Sequence, residues 1–187
     1  MILIAQASLC LSGMAAHAEP LPNIAPAPEF NLVDQNGKDF SLTQLRGRVA
    51  VVTFIFTSCS DSCPLLTAKL VQVNDMLGSE APEVMFVAIT VDPMNDTPAV
   101  LKRYANLYSA PEGQFTFLTG DFDAIQEVVR SYGAYFNVKG DRDVDHTFLT
   151  SIVDQSGTLR VQYLGWRFDP QEFVGDLKSL VHEDEHS

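Results

Sequence analysis

The sequence predicts a single α/β domain with a mixed central sheet flanked by helices, and three observations predict it. Two runs, residues 49–57 and 84–91, are almost continuously apolar and β-branched, the mark of strands buried on both faces. Segments with helical spacing of apolar residues alternate with strand-like ones along the chain. Two turn signals, Asp34-Gln35-Asn36-Gly37 and Asp154-Gln155-Ser156-Gly157, each interrupt an alternating apolar pattern and read as β-hairpins.

Residues 1–18 carry no charge, hold an apolar stretch from Ile2 to Met14 and end in Ala16-His17-Ala18, the pattern of a signal peptide with its small-residue cleavage site. The stretch is shorter than the roughly 20 apolar residues of a membrane span. No Lys or Arg precedes it, so a start further upstream, with an uncleaved anchor, is the alternative. Residues 19–29 form a Pro- and Ala-rich extended linker, and 30–187 the folded domain.

Within that domain, Phe30 and Leu32 lie across the first turn from Phe40 and Leu42. The 49–57 strand gives way to a helix with Leu66, Leu70, Val73 and Leu77 at helical spacing, ended by Gly78. After the 84–91 strand, Thr97-Pro98 opens a helix carrying Val100, Tyr104 and Leu107. Phe115 to Leu118 is a short strand, and Phe122, Ile125, Val129 and Tyr132 mark a third helix. The second hairpin joins 148–153 to 159–163. Asp169-Pro170-Gln171-Glu172 supplies an N-cap, a proline at the first helical position and a glutamate at the third for a last helix with Phe173, Leu177 and Leu180. The resulting order of hairpin, β-α-β, α, β, α, hairpin, α is a thioredoxin-like plan.

Twelve Lys and Arg stand against 24 Asp and Glu, and the net charge of −12 argues against nucleic acid and anionic membrane surfaces as partners. Of three cysteines, Cys10 lies in the leader. The other two sit in Thr57-Ser58-Cys59-Ser60-Asp61-Ser62-Cys63-Pro64, where the first buried strand becomes a helix. Four residues apart, their sulfurs stand about one helical turn from each other. Such a pair closes a disulfide or grips one soft metal ion. Export would place it in an oxidising compartment, where a thiol reductant is needed to keep it metal-competent.

Functional groups in open α/β sheets gather beyond the carboxyl ends of the strands. Cys59 follows one buried strand and Asp92-Pro93 the other, so both belong to one rim. His146, in Asp145-His146-Thr147, precedes the strand that begins at Phe148, on a loop facing the same rim in a thioredoxin-like sheet. The candidate constellation is Cys59, Cys63 and His146, with Asp92 nearby. Taken singly, a C-x-x-x-C pair is most often a disulfide, one histidine a surface or core residue, and Asp92 a turn residue. Asp61 reads as a solvated charge, as do His182 and His186 in the acidic tail. Trp166 and Phe168 are either a docking surface or packed against the last helix.

In this order the pieces resemble the SCO/SenC family of copper-binding, thioredoxin-like proteins that serve cytochrome c oxidase assembly. Residues 57–64 are similar to its T-x-C-x-D-x-C-P box, and Thr90-Val91-Asp92-Pro93 with Asp96-Thr97-Pro98 to its S/T-V-D-P…D-T-P segment. Asp145-His146-Thr147 is similar to the D-H-S/T element, and 154–157 to D-x-x-G. The resemblance implies a carrier of one copper ion, Cu(I) or Cu(II), held by Cys59, Cys63 and His146, with Asp92 close to the ligands. It implies a copper donor chaperone upstream, the copper-bearing subunit of the oxidase downstream, and a periplasmic location, membrane-anchored if the N-terminus is uncleaved or extended. Two thiolates and an imidazole suit copper in both oxidation states, whereas a structural zinc site would need a fourth protein ligand. The positive end of the helix near Pro64 is expected to favour the thiolate form of the pair.

Two enzymatic readings compete with the carrier. A thiol-disulfide reductase would attack a partner's disulfide through Cys59 and resolve it with Cys63. Such enzymes usually carry C-x-x-C opposite a cis-proline, and here the spacing is longer and His146 stands where that proline would be. A peroxiredoxin-like peroxidase needs P-x-x-x-T-x-x-C, which the residues before Cys59 do not supply.

Overall fold

The computed structural model describes residues 20–138 and 144–183; the leader with Cys10, and His186, lie outside the described residues. Ten strands and four α-helices follow in order among them. They are β1 (Ala25–Pro26), β2 (Asn31–Asp34), β3 (Asp39–Ser41), β4 (Val49–Ile55), α1 (Ser62–Leu77), β5 (Val84–Thr90) and α2 (Pro98–Leu107). Then come β6 (Phe115–Thr119), α3 (Phe122–Ser131), β7 (Phe136–Val138), β8 (Val144–His146), β9 (Leu149–Val153), β10 (Thr158–Leu164) and α4 (Pro170–Val181).

Eight strands make one mixed sheet in the order β1-β10-β9-β4-β5-β6-β2-β3. Strands β4, β5 and β6 run parallel, while β9 joins β4, and β2 joins β6, antiparallel. All seven residues of β4 are buried, the outcome its unbroken apolar run predicts for a central strand. Val91 N–H continues the β4–β5 ladder by donating to Ile55 O at 2.8 Å, so both strands end at one level and their loops start on one rim.

Helix α1 buries Leu66, Leu70, Val73 and Leu77 and stops at Gly78, whose φ of 60° is one that L side chains rarely adopt. It packs against α4, while α2 lies against β6. Asp169 caps α4 by accepting from Gln171 N–H at 2.9 Å, with Pro170 at the first position. In α2 the expectation needs correcting: Leu101 and Tyr104 form its buried stripe, and Leu107 is exposed. Two pieces went unread in the sequence. Ala25–Pro26 of the lead-in pairs with β10, and β7 and β8 form a separate two-stranded hairpin.

The lead-in is held by Arg160 of β10, which is almost fully buried. Its guanidinium donates to the carbonyls of Leu21 and Pro22 and to the carboxylates of Asp154 and Glu183, joining the lead-in and the residues just after α4 to the second hairpin. Burial would raise the Asp154 carboxyl, but hydrogen bonds from Ser156, Thr158 and Arg160 win and hold it below the ordinary carboxylate range. The Arg160 hydrogen bonds, working against partial burial, do the same for Glu183. Removing one partner of a buried ion pair strands the other. Arg160→Ala is therefore expected to cost about 3 kcal/mol, read as a lower urea midpoint. Because both carboxyls sit below their unfolded values, this stabilisation is present at neutral pH and lost as pH falls below the ordinary carboxylate range. The gap between wild type and Arg160→Ala should therefore close in acid.

Candidate functional site

From the end of β4 the chain turns through Phe56 to Asp61 before α1 begins. Cys59 N–H donates to Phe56 O at 3.3 Å, closing the turn that carries the first sulfur. Cys63 lies in the first turn of α1 and is fully buried, while Cys59 is partly exposed; both are free thiols. Asp61 stands at the N-cap position without a capping hydrogen bond from its side chain.

His146 arrives on β8, where it pairs with Phe136 of β7. Its ring is buried between Phe56, edge-on with centroids 5.6 Å apart, and Phe148 at 4.3 Å. Nδ1 lies 3.2 Å from Thr147 O. A carbonyl only accepts, so Nδ1 carries the proton and Nε2 presents its lone pair. That lone pair faces Cys63 Sγ at 3.7 Å. Burial lowers the His146 pKa, against the pull of Thr147 and Asp145, so the ring is neutral and ready to bind a metal.

Burial also pushes the Cys63 thiol up, with Cys59 and Asp96 adding to the effect and a backbone hydrogen bond at Phe56 opposing it. This corrects the expectation that the helix N-terminus favours the thiolate: at Cys63 desolvation is the larger effect. A metal ion entering here must displace the thiol proton.

The 3.7 Å between sulfur and nitrogen suits one shared ion. Bonds of about 2.3 Å to sulfur and 2.0 Å to nitrogen, the lengths in zinc sites, would subtend about 120° at the metal. Among the described residues no group of three His, Cys, Asp or Glu has the spacing of a closed metal site. Cys59, partly exposed on the adjacent turn and close enough to Cys63 to act on its thiol, is the remaining sulfur.

Asp92 sits on the rim as expected and is buried, but its partners are local. Its N–H donates to Thr90 Oγ1 at 2.9 Å, and its carboxylate oxygens each lie 3.0 Å from Asn95 Nδ2. The carboxylate that reaches the cysteine loop is Asp96, which sequence reasoning passed over as a site residue. Its Oδ2 accepts from Thr57 N–H at 3.0 Å and Thr90 Oγ1 at 2.6 Å, and its Oδ1 from Thr57 Oγ1. Burial raises the Asp96 carboxyl, the three donors oppose it, and Asp92 adds a smaller repulsion. The available signal was two threonines, each closing a buried strand on the same rim, beside an aspartate.

Elsewhere, Phe168 stacks on Phe173 of α4 at 4.6 Å, and Lys69 Nζ donates to the carbonyls of Trp166 and Phe168, both at 2.8 Å. Packing against the last helix therefore accounts for Phe168. His182 is not simply solvated, since Nε2 lies 3.5 Å from Glu80 Oε1.

Comparison with known proteins places the chain in a family. The SCO1/SenC family model matches residues 19–182. A SCO2-like protein of Rickettsia felis is 33% identical over 163 residues, covering 83% of this chain and 77% of that protein. Bradyrhizobium japonicum ScoI, solved with copper bound, superposes with a TM-score of 0.73 at 33% identity, covering 83% of this chain and 99% of that one. BsSco, described as a member of the Sco family of cytochrome c oxidase assembly proteins and as having a disulfide switch, gives a TM-score of 0.75 at 30% identity, covering 87% and 96%. The chain belongs to the SCO1/SenC family and has its thioredoxin-like fold.

Proposed function

We propose that this chain carries one copper ion, bound by Cys59, Cys63 and His146, and delivers it to the binuclear copper site of cytochrome c oxidase during assembly of that enzyme. The observation that carries the reading is the contact between Cys63 Sγ and the unprotonated Nε2 of His146 at 3.7 Å, with Thr147 O fixing the tautomer. Two buried soft donors face each other and a third waits on the adjacent turn, a set suited to copper. The copper bound to a relative of the same fold supports the reading. The donor is a copper chaperone, the recipient the copper-bearing subunit of the oxidase, and a thiol reductant keeps the pair open. The leader composition supports export to the periplasm, by cleavage or as an anchor; no helix among the described residues is long and apolar enough to cross a membrane.

In this reading the ion enters as the two thiols and His146 close on it, and the thiol protons leave to solvent. With three donors from the protein, one face of the ion stays open to an incoming ligand of the recipient. Asp92, buried on the same rim, is read as helping to offset the charge of the ion, although Asp96 is the carboxylate that reaches the cysteine turn. Oxidation of the pair removes two protons and two electrons, forms the Cys59–Cys63 bond and leaves no thiolate. The same pair could reduce a partner's disulfide, but the neutral His146 set against Cys63 favours metal binding over general reductase chemistry.

Reduced protein is expected to bind one copper per chain, measured by metal analysis after gel filtration. The oxidised protein should bind none at this site, and equal loading of the two forms would sink the shared site. His146→Ala removes one donor and neither sulfur. Its Cu(II) affinity should fall by about tenfold or more, since even groups that only orient a metal ligand act on affinity to that extent, while its rate of exchange with a model disulfide changes far less. Unchanged copper affinity, measured by competition with a chelator, would make His146 a bystander.

A further inference from the structure

We propose that Asp96 is a positioning residue for the site, its buried carboxylate holding the Cys59 turn in the geometry that copper binding and disulfide closure both need. The inference rests on the reading that Cys59 and Cys63 are the working pair.

Asp96 is 1% exposed, and no cation pairs with it among the described residues. A buried carboxylate is costly unless donors surround it, and three do: Thr57 N–H, Thr57 Oγ1–H and Thr90 Oγ1–H. Two of the three belong to the residue that opens the cysteine turn. Holding both its backbone and its side chain fixes the rotation of Thr57, and Cys59 follows two residues later. On its other side, Asp96 N–H donates to Asp92 O at 2.9 Å, so the turn after β5 is tied through one carboxylate to the turn after β4. A turn so held keeps Cys59 beside Cys63, whose side chain it already meets, for a metal or a disulfide. Asparagine in place of Asp96 has one acceptor oxygen where three donors converge, and it turns an N–H group on at least one of them.

The test compares the full chain with Asp96→Asn, Thr57→Val, Thr57→Ser and the Asp96→Asn/Thr57→Val pair. The first readout is the equilibrium constant of the Cys59–Cys63 dithiol and disulfide with the glutathione pair. There, oxidised glutathione takes two electrons and two protons and becomes two molecules of reduced glutathione. The second is the sulfur-to-Cu(II) charge-transfer absorption, and melting temperature is recorded alongside. Hydrogen bonds to a charged group carry enough energy for roughly a tenfold change or more. Asp96→Asn should move the equilibrium constant by about that factor and alter the absorption band. Thr57→Val should move both in the same direction by less, and Thr57→Ser, which keeps both donors, should match wild type. The double variant should go no further than Asp96→Asn alone.

A wild-type equilibrium constant in Asp96→Asn, with only the melting temperature lowered, would overturn the proposal and leave Asp96 a strut. If Asp96→Asn does not fold, Thr57→Val decides, and a wild-type equilibrium constant there overturns it equally. Should the wild-type protein exchange with glutathione yet bind no copper, the carrier reading fails and the glutathione equilibrium alone judges Asp96.

Discussion

The seven-pair parallel ladder between β4 and β5, from Val49↔Val84 to Ile55↔Thr90, is the constraint on which the site depends. Both strands are buried almost throughout, so sliding either by one residue would turn every side chain over and drive Thr90 or Thr53 into the wrong layer. With register set, β4 and β5 end together, and Thr57 and Asp96 come within hydrogen-bonding distance from turns that share no sequence proximity. The sheet thus defines the rim to within one residue before any functional side chain is placed on it.

Against that frame the two sulfurs have different surroundings, although they are only four residues apart. Cys63 is drawn into the core by the first turn of α1 and meets His146 between two phenylalanine rings, a dry corner where a thiolate is expensive. Cys59 stays on the turn at the lip, partly open to solvent. Desolvation keeps the inner thiol protonated until a metal or an oxidant arrives, and neutral His146 does not compete for the proton at neutral pH. The division suits a group that must stay intact while empty and still be reachable from outside.

How much of this was legible depended on where the signal is stored. Strands β4 and β5 and helix α1 announce themselves because burial on both faces and a 3.6-residue stripe leave marks in local composition. The rim followed from them, and so did Cys59, Cys63 and Asp92. The β7–β8 hairpin that delivers His146 was hidden, since Phe136-Asn137-Val138 and Val144-Asp145-His146 are too short to carry a period. Asp96 was hidden for another reason: sequence shows an aspartate before a helix N-cap, and only the fold reveals that its partners are Thr57 and Thr90. Leu107 was misread because a helical stripe can be drawn through either of two neighbouring registers, and the sheet chose Leu101 and Tyr104. The thiolate expectation at Cys63 failed because helix-end charge can be read from sequence, whereas depth of burial cannot.

The same geometry explains why a short loop suffices to make this thioredoxin-like scaffold a carrier. A reductase needs its attacking sulfur exposed and its resolving sulfur near, and nothing opposite that would trap a metal. Here the position facing the buried sulfur holds an imidazole whose Nδ1 proton points to Thr147 O, so its Nε2 lone pair accepts from the Cys63 thiol and is free for a metal once that proton leaves. If Cys59, Cys63 and His146 are the donors, they come from the cysteine turn, the first turn of α1 and the β7–β8 hairpin, and the side of Cys59 is the one nearest solvent. An ion bound there would be reached from the side on which Cys59 sits. In the proposed site, an incoming ligand would meet the ion beside Cys59, the partly exposed sulfur, with the buried Cys63 and His146 behind it.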